Sequence, residues 1–306
     1  QTPQEGLSTR GVSSPNEPWW LQLLCLSLVV MRCQPLRRAL ALNRNIILKY
    51  FQKGSGEYLV LVHGALTDGS MWLPHVDSLA QYFDVVSVTL SHFDNDDNLS
   101  FGLNSHAQEL CGLVQQLVSE KPVNVVGWSY GADVVLNMIA TSQLPLSKVF
   151  LYELGYPGCV QEDEMSTWVA DANSMFEPVF NHVHQGNLSL AVESLIDGSG
   201  NCQGYFDKQA TEIKSLQLKQ AYTLPLQLNQ QERPSIDVQS LSNIELSLIF
   251  GYGDKTRDLF KLATQSDARA LRCSKLVVIE NESHMLPQEN PEKFSSLLIE
   301  FLGKKG

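Results

Sequence analysis

The sequence predicts an α/β protein, a mostly parallel sheet covered by helices. From about residue 45 onward, short β-branched or aliphatic runs alternate with longer amphipathic stretches, the rhythm of strand followed by covering helix. At 306 residues, with 43% hydrophobic and 18% charged residues, the chain is long and apolar enough to build one large domain around a single sheet.

The strands expected in order are 46–51, 58–62, 83–90, 123–126, 149–153, 246–252 and 275–279, with Gly54-Ser55-Gly56 as a hairpin between the first two. Helical periodicity covers 71–81, 105–120, 133–141, 257–270 and 291–302, the last opening on Pro291, which a first helical turn tolerates. Between Pro157 and about Asp237 the rhythm stops, and a stretch rich in Gln, Asn and Ser carries helical pieces at 165–180 and 188–195. We expect a helical cap over 157–237, inserted into an α/β core formed by 43–156 and 238–304. Residues 1–42 form an N-terminal extension whose apolar run 19–31 has the length of a signal-peptide core, while the positive cluster Arg32, Arg37, Arg38 follows that run. A leader or anchor, a packed extension and a poorly ordered tail are all open there.

A net charge of −11 with no basic stripe argues against a nucleic-acid partner. The six cysteines show no metal-ligand spacing, although Cys159 and Cys202 lie in one region and are candidates to pair if the protein is exported. His92 and His106 lack partners at metal spacing, and His182 and His184 fall on different sides of a helix. Neither a metal nor a cofactor is expected. Action in the cytoplasm follows unless 19–31 acts as leader or anchor, and membrane association is expected only in that case.

The chemistry centres on Gly127-Trp128-Ser129-Tyr130-Gly131, which follows the apolar strand 123–126 and precedes an apolar helix. Two glycines let the chain turn sharply, so the Ser129 hydroxyl stands above the sheet beside a helix N-terminus. The bland alternative is a turn serine that caps the helix. Two further features favour a nucleophile. The strand 58–62 runs into His63-Gly64-Ala65, whose loop can aim an N–H into the site; the oxyanion donors are assigned to Ala65 and Tyr130. Toward the C-terminus, strand 246–252 runs into Gly253-Asp254 and strand 275–279 into Ser283-His284, so an acid and a base follow the serine on one sheet edge. His284 is the expected base and Asp254 the expected acid. Glu153, at the end of the strand before the cap, is the rival acid. Trp128 is a candidate substrate-binding residue, with packing beneath the site as its alternative; Trp72 and Trp168 are open to the same two readings, with core packing favoured.

These residues make the chain from about Asn45 to Leu302 resemble the α/β-hydrolase superfamily: His63-Gly64, the pentapeptide around Ser129, Gly251-Tyr252-Gly253-Asp254, and His284 with Pro287 and Pro291 beyond it. The resemblance implies the α/β-hydrolase fold, an eight-stranded sheet with a helical cap after the sixth strand, and a Ser-His-Asp triad. Two departures stand out: Leu90-Ser91-His92-Phe93-Asp94-Asn95-Asp96-Asp97 replaces the Asp-x-x-Gly-x-Gly-x-Ser stretch of many relatives, and Ser283 precedes the base where relatives often have Gly. The expected activity is hydrolysis of a small ester or related acyl compound through an acyl-enzyme. Carbon–carbon bond hydrolysis, perhydrolase-type haloperoxidase chemistry on the same triad, and ligand sensing on a retained fold are the alternatives.

Overall fold

The computed structural model describes residues 48–93 and 100–303. The N-terminal extension 1–42 with its apolar run, and much of the 90–97 departure, lie outside the described residues.

Seven strands form one sheet in the order β1-β3-β2-β4-β5-β6-β7. They are β1 (Lys49–Gly54), β2 (Tyr58–Val62), β3 (Asp84–Thr89), β4 (Val123–Trp128), β5 (Lys148–Tyr152), β6 (Leu248–Gly253) and β7 (Ser274–Ile279). All neighbours are parallel except β1, which pairs antiparallel with β3. The turn at Gly54 and Gly56, both at positive φ, therefore does not close a hairpin between β1 and β2: the chain steps over β3, and a Cβ on Gly54 would sit 2.1 Å from the Phe83 carbonyl. The described sheet has seven strands where the resemblance implied eight, and the inserted helices follow β5 of those seven.

Between β2 and β6 lie α1 (Leu73–Leu79), α2 (Leu103–Leu117), α3 (Tyr130–Thr141), α4 (Glu162–His184), α5 (Leu188–Ser199), α6 (Tyr205–Lys208), α7 (Thr211–Lys219), α8 (Thr223–Asn229) and α9 (Val238–Leu241). Then follow α10 (Asp258–Ala270), α11 (Leu286–Glu289) and α12 (Pro291–Leu302). The two-residue period of the strands sorts the core into two layers. Val60, Val62, Val86, Val88 and Val125 pack with α2 and α3 on one face, and Leu59, Leu61, Val85, Val126 and Phe150 pack with α1 and α12 on the other. Local chemistry agrees with these elements: α4 begins Glu162-Asp163-Glu164 and ends with His182 and His184, matching the helix dipole, while the Asn290 side chain accepts from Lys293 N–H ahead of Pro291 in α12.

The helices α4 to α8 form a layer over the C-terminal ends of the strands. Buried ties fasten it on both sides. Arg257, before α10, makes a two-pronged ion pair with Asp171 of α4 at 2.7 and 2.8 Å and donates to Gly198 O of α5 at 2.8 Å. Gln220, fully buried, donates to Asp68 Oδ2 and to Phe93 O. Among the described residues no helix is long and apolar enough to cross a membrane. Cys159 is buried, Cys202 exposed, and neither is in a disulfide.

Candidate active site

Ser129 sits between β4 and α3 with φ 54° and ψ −126°, a conformation a non-glycine residue adopts only where its surroundings enforce it. The enforcement comes from its neighbours. A Cβ on Gly127 would lie 2.6 Å from Ala132 Cα, and one on Gly131 would lie 2.3 Å from His63 O, so neither position accepts a side chain without backbone movement. Ser129 N–H donates to Tyr152 O at 2.9 Å, and its own carbonyl accepts from Ala132 N–H at 2.8 Å. The hydroxyl is thereby lifted off the end of β4 toward the helical layer.

His284, in the loop between β7 and α11, brings Nε2 to 3.0 Å from Ser129 Oγ. The loop is clamped from below: Trp128 Nε1–H donates to His284 O at 2.9 Å, and Tyr152 O–H donates to Ser283 O at 2.7 Å. Phe260 stacks on the imidazole face, with centroids 3.7 Å apart and planes 11° from parallel. With the ring fixed, Nδ1 faces a carboxylate at 2.8 Å, and that carboxylate is Glu153 Oε2.

The acid expected at Asp254 is thus replaced in this geometry by its rival. Asp254 is exposed, and its N–H donates to Ile279 O. The physical reason lies in register: Tyr152 pairs with Gly251, so Glu153 leaves β5 level with Tyr252, two residues short of Asp254. Glu153, at φ 53°, turns its fully buried side chain across to His284. The Gly-x-Gly-Asp loop contributes donors to it: Gly253 N–H reaches Glu153 Oε1 at 2.8 Å, and Thr256 O–H reaches Oε2 at 2.6 Å. Three hydrogen bonds compensate the burial of this carboxylate. A signal was present in the sequence, since Glu153 ends the apolar run Val149-Phe150-Leu151-Tyr152, and a charge there needs a partner. Nothing local named Thr256 or Phe260.

The loop after β2 lies directly over Ser129: a Cβ on Gly64 would approach Ser129 Cβ to 3.2 Å. Thr67 O–H donates to Gly64 O at 2.8 Å, and His63 pins the same turn, with Nδ1 2.8 Å from Gly64 O and Nε2 accepting from Leu90 N–H. Burial drives the His63 imidazole down to about 4, so it holds this loop as a neutral ring. Ala65 and Tyr130 both line the space beside Ser129, and Tyr130 opens α3, where an N–H has no partner within the helix. Beyond it runs a chain the sequence did not disclose: Tyr130 Oη lies 2.7 Å from His106 Nδ1, and His106 Nε2 lies 3.3 Å from His92 Nδ1.

Above Ser129, between the helical layer and the sheet, lies a cavity of about 100 Å³, lined among others by Trp168, Ala172 and Met175 of α4, Leu195 of α5, and Leu259 and Phe260 of α10. Trp168, open between core packing and the pocket, is buried and forms part of this wall. Trp128, a candidate substrate-binding residue with packing as its alternative, is 3% exposed, is not among the residues lining this cavity, and supports the His284 loop from beneath. Its strand position explains this, because it is the last residue of β4 and points into the layer under the turn. Among the described residues no group of three or more His, Cys, Asp and Glu is placed to hold a metal ion.

The Alpha/beta hydrolase family model matches residues 59–297. Over 87 residues, 28% of this chain and 31% of the relative, the sequence is 38% identical to a pimeloyl-(acyl-carrier protein) methyl ester esterase of Vibrio atlanticus. Over 107 residues, 34% of this chain and 40% of the relative, it is 23% identical to an (E)-2-((N-methylformamido)methylene)succinate hydrolase of Acinetobacter baylyi. The matches span less than half the length of these curated relatives. Among solved structures, a bromoperoxidase from Bacillus anthracis superposes with a TM-score of 0.65 at 18% identity, covering 83% of this chain and 95% of that one. An esterase from Thermogutta terrifontis gives 0.64 at 20% identity, covering 83% and 92%. At these identities the likeness is one of fold.

Proposed function

We propose, from the premise that this chain belongs to the alpha/beta hydrolase family, that it hydrolyses a small ester through an acyl-enzyme, with Ser129 as nucleophile, His284 as base and Glu153 as acid. The observation that carries this reading is the unbroken hydrogen-bonded line from Ser129 Oγ through His284 to Glu153 Oε2, at 3.0 and 2.8 Å. Glu153 accepts from His284 Nδ1–H, which leaves Nε2 as the acceptor facing the serine.

As Ser129 Oγ attacks the ester carbonyl carbon, its proton passes to His284 Nε2 and Glu153 stabilises the imidazolium. The carbonyl oxygen takes up the negative charge and receives hydrogen bonds from the Ala65 and Tyr130 N–H groups. Collapse of the adduct breaks the ester C–O bond, and His284 returns the proton to the departing alcohol oxygen. Water then attacks the acyl-enzyme, giving one proton to His284; release of the carboxylic acid restores the Ser129 hydroxyl. Every group in this cycle is a side chain or main-chain N–H of the chain itself. The curated relatives, one named a methyl ester esterase and the other a hydrolase of a substituted methylenesuccinate, support hydrolysis as the reaction class.

Covalent labelling by a fluorophosphonate tests the reading. One adduct is expected in the parent protein, mapping to Ser129, with none in Ser129→Ala; equal labelling of both would overturn it.

A further inference from the structure

The cavity over Ser129 has a polarity of its own. Its walls are mostly apolar, and none of the described residues lining it is Lys or Arg. A carboxyl group stands among them: Asp133, one helical turn beyond Ser129 in α3, is 6% exposed. It accepts from Gly155 N–H at 3.3 Å and from Tyr156 N–H at 3.2 Å, and among the described residues no cation pairs with it. It also faces a second buried carboxyl, Asp267, whose neighbour is the Cys159 thiol and which has no cation paired with it among the described residues. Two further lining residues carry buried, unpartnered polar atoms: the acceptor Gln227 Oε1 and the donor Trp168 Nε1. Unpaired polar groups of this kind are costly in a folded chain, and a ligand that pairs with them recovers that cost.

We infer that this cavity selects a short acyl group ending in a neutral hydrogen-bonding group, a hydroxyl or a carboxamide, and rejects one ending in a carboxylate, with Asp133, Gln227 and Trp168 as the specificity-determining residues. A hydroxyl or carboxamide has both halves of the required pairing. Its N–H or O–H donates to Asp133 or Gln227 Oε1, and its oxygen accepts from Trp168 Nε1. A carboxylate offers no donor to either acceptor and would enter a dry space beside a like charge with no cation to offset it. The volume of about 100 Å³ admits only a short chain between this group and the carbonyl at Ser129. Asp133 lies roughly 6 Å along the helix axis from Ser129, which sets the same limit.

The inference rests on the ester-hydrolase reading of the site, and its test separates the two. The methyl esters of succinamic acid, 3-hydroxybutanoic acid and butanoic acid, with monomethyl succinate, form a size-matched set. They are compared by kcat/KM at pH 8.5, above the value of about 7 to which burial raises Asp133. The succinamate and hydroxybutanoate esters are expected to exceed the butanoate by at least about tenfold and monomethyl succinate by about a hundredfold or more. Gln227→Leu and Asp133→Ala should each lower the succinamate-to-butanoate ratio at least about threefold, a ratio independent of how much enzyme is folded. Monomethyl succinate turned over as fast as its amide, or ratios unchanged in both variants, would overturn the selectivity while a Ser129-labelled enzyme leaves the reaction class standing. A Ser129 that takes no fluorophosphonate overturns both.

Discussion

Glu153 illustrates how much a single side chain asks of its surroundings. It is a buried carboxylate at positive φ, and it is held by Gly253 N–H, Thr256 O–H and His284 Nδ1. Thr256→Ala removes one charge-assisted bond of 2.6 Å, and kcat is expected to fall by about ten- to a hundredfold while the far-ultraviolet circular dichroism stays that of the parent. A kcat within twofold of the parent would show that Thr256 does not orient the acid. The glycines of the turn are as strict: Gly131→Ala forces a Cβ against the backbone oxygens of His63 and Val62, at 2.3 and 2.6 Å. Overpacking of this kind costs about 1–3 kcal/mol or more, and the variant is expected to unfold at lower urea concentration and to lose labelling at Ser129. An unchanged midpoint would mean that the turn is not so constrained.

At the scale of elements, the helical layer over the site is fastened by Arg257. Its guanidinium joins Asp171 of α4, Gly198 O of α5 and the start of α10, and both charges are largely buried. Arg257→Ala leaves the Asp171 carboxylate without its cation, a loss of about 3–5 kcal/mol measurable by urea unfolding, and Lys at this position should not restore it because the two-pronged geometry needs the planar fork. A loss below about 1 kcal/mol would contradict this view of the pair. The same elements show what the sequence disclosed and why. Strand, tight turn and apolar helix around Ser129 were legible because the motif is local and its glycines have a steric reason. His284 was legible as a polar residue beyond an apolar strand. The choice between Glu153 and Asp254 was not, because β5 and β6 are adjacent parallel strands and their register, which no local signal encodes, decides which carboxylate reaches Nδ1. Crossing of the chain from β1 over β3 to β2 was hidden for a similar reason: Gly54-Ser55-Gly56 specifies a turn but not the strand that will pair beyond it. Trp128 looked like a pocket residue by adjacency to Ser129, yet strand alternation sends its indole downward.

For the whole molecule, burial of ionisable groups sets a dependence of stability on pH. Desolvation raises Asp267 well above its ordinary 3.8, so the folded chain keeps a proton that the unfolded chain releases. Its stabilising contribution is complete below that value and is lost as pH rises toward the folded value. Asp267→Asn is therefore expected to raise Tm relative to the parent more at pH 8 than at pH 4; an identical difference at both would contradict the sign. His63, His75 and His106 act oppositely: burial lowers them to about 4, 4 and 3, and their cost grows as pH falls below the ordinary 6.5.

The sheet as a whole brings together groups far apart in sequence: Ser129 from the end of β4, Glu153 from the end of β5 and His284 from the loop after β7. The most direct measurement is kcat for an activated ester, p-nitrophenyl acetate, in Glu153→Gln and Asp254→Asn. Loss of roughly a thousand- to ten-thousandfold in Glu153→Gln, with Asp254→Asn within about threefold of the parent, is the predicted result. A Glu153→Gln enzyme near parental activity beside an inactive Asp254→Asn enzyme would contradict it.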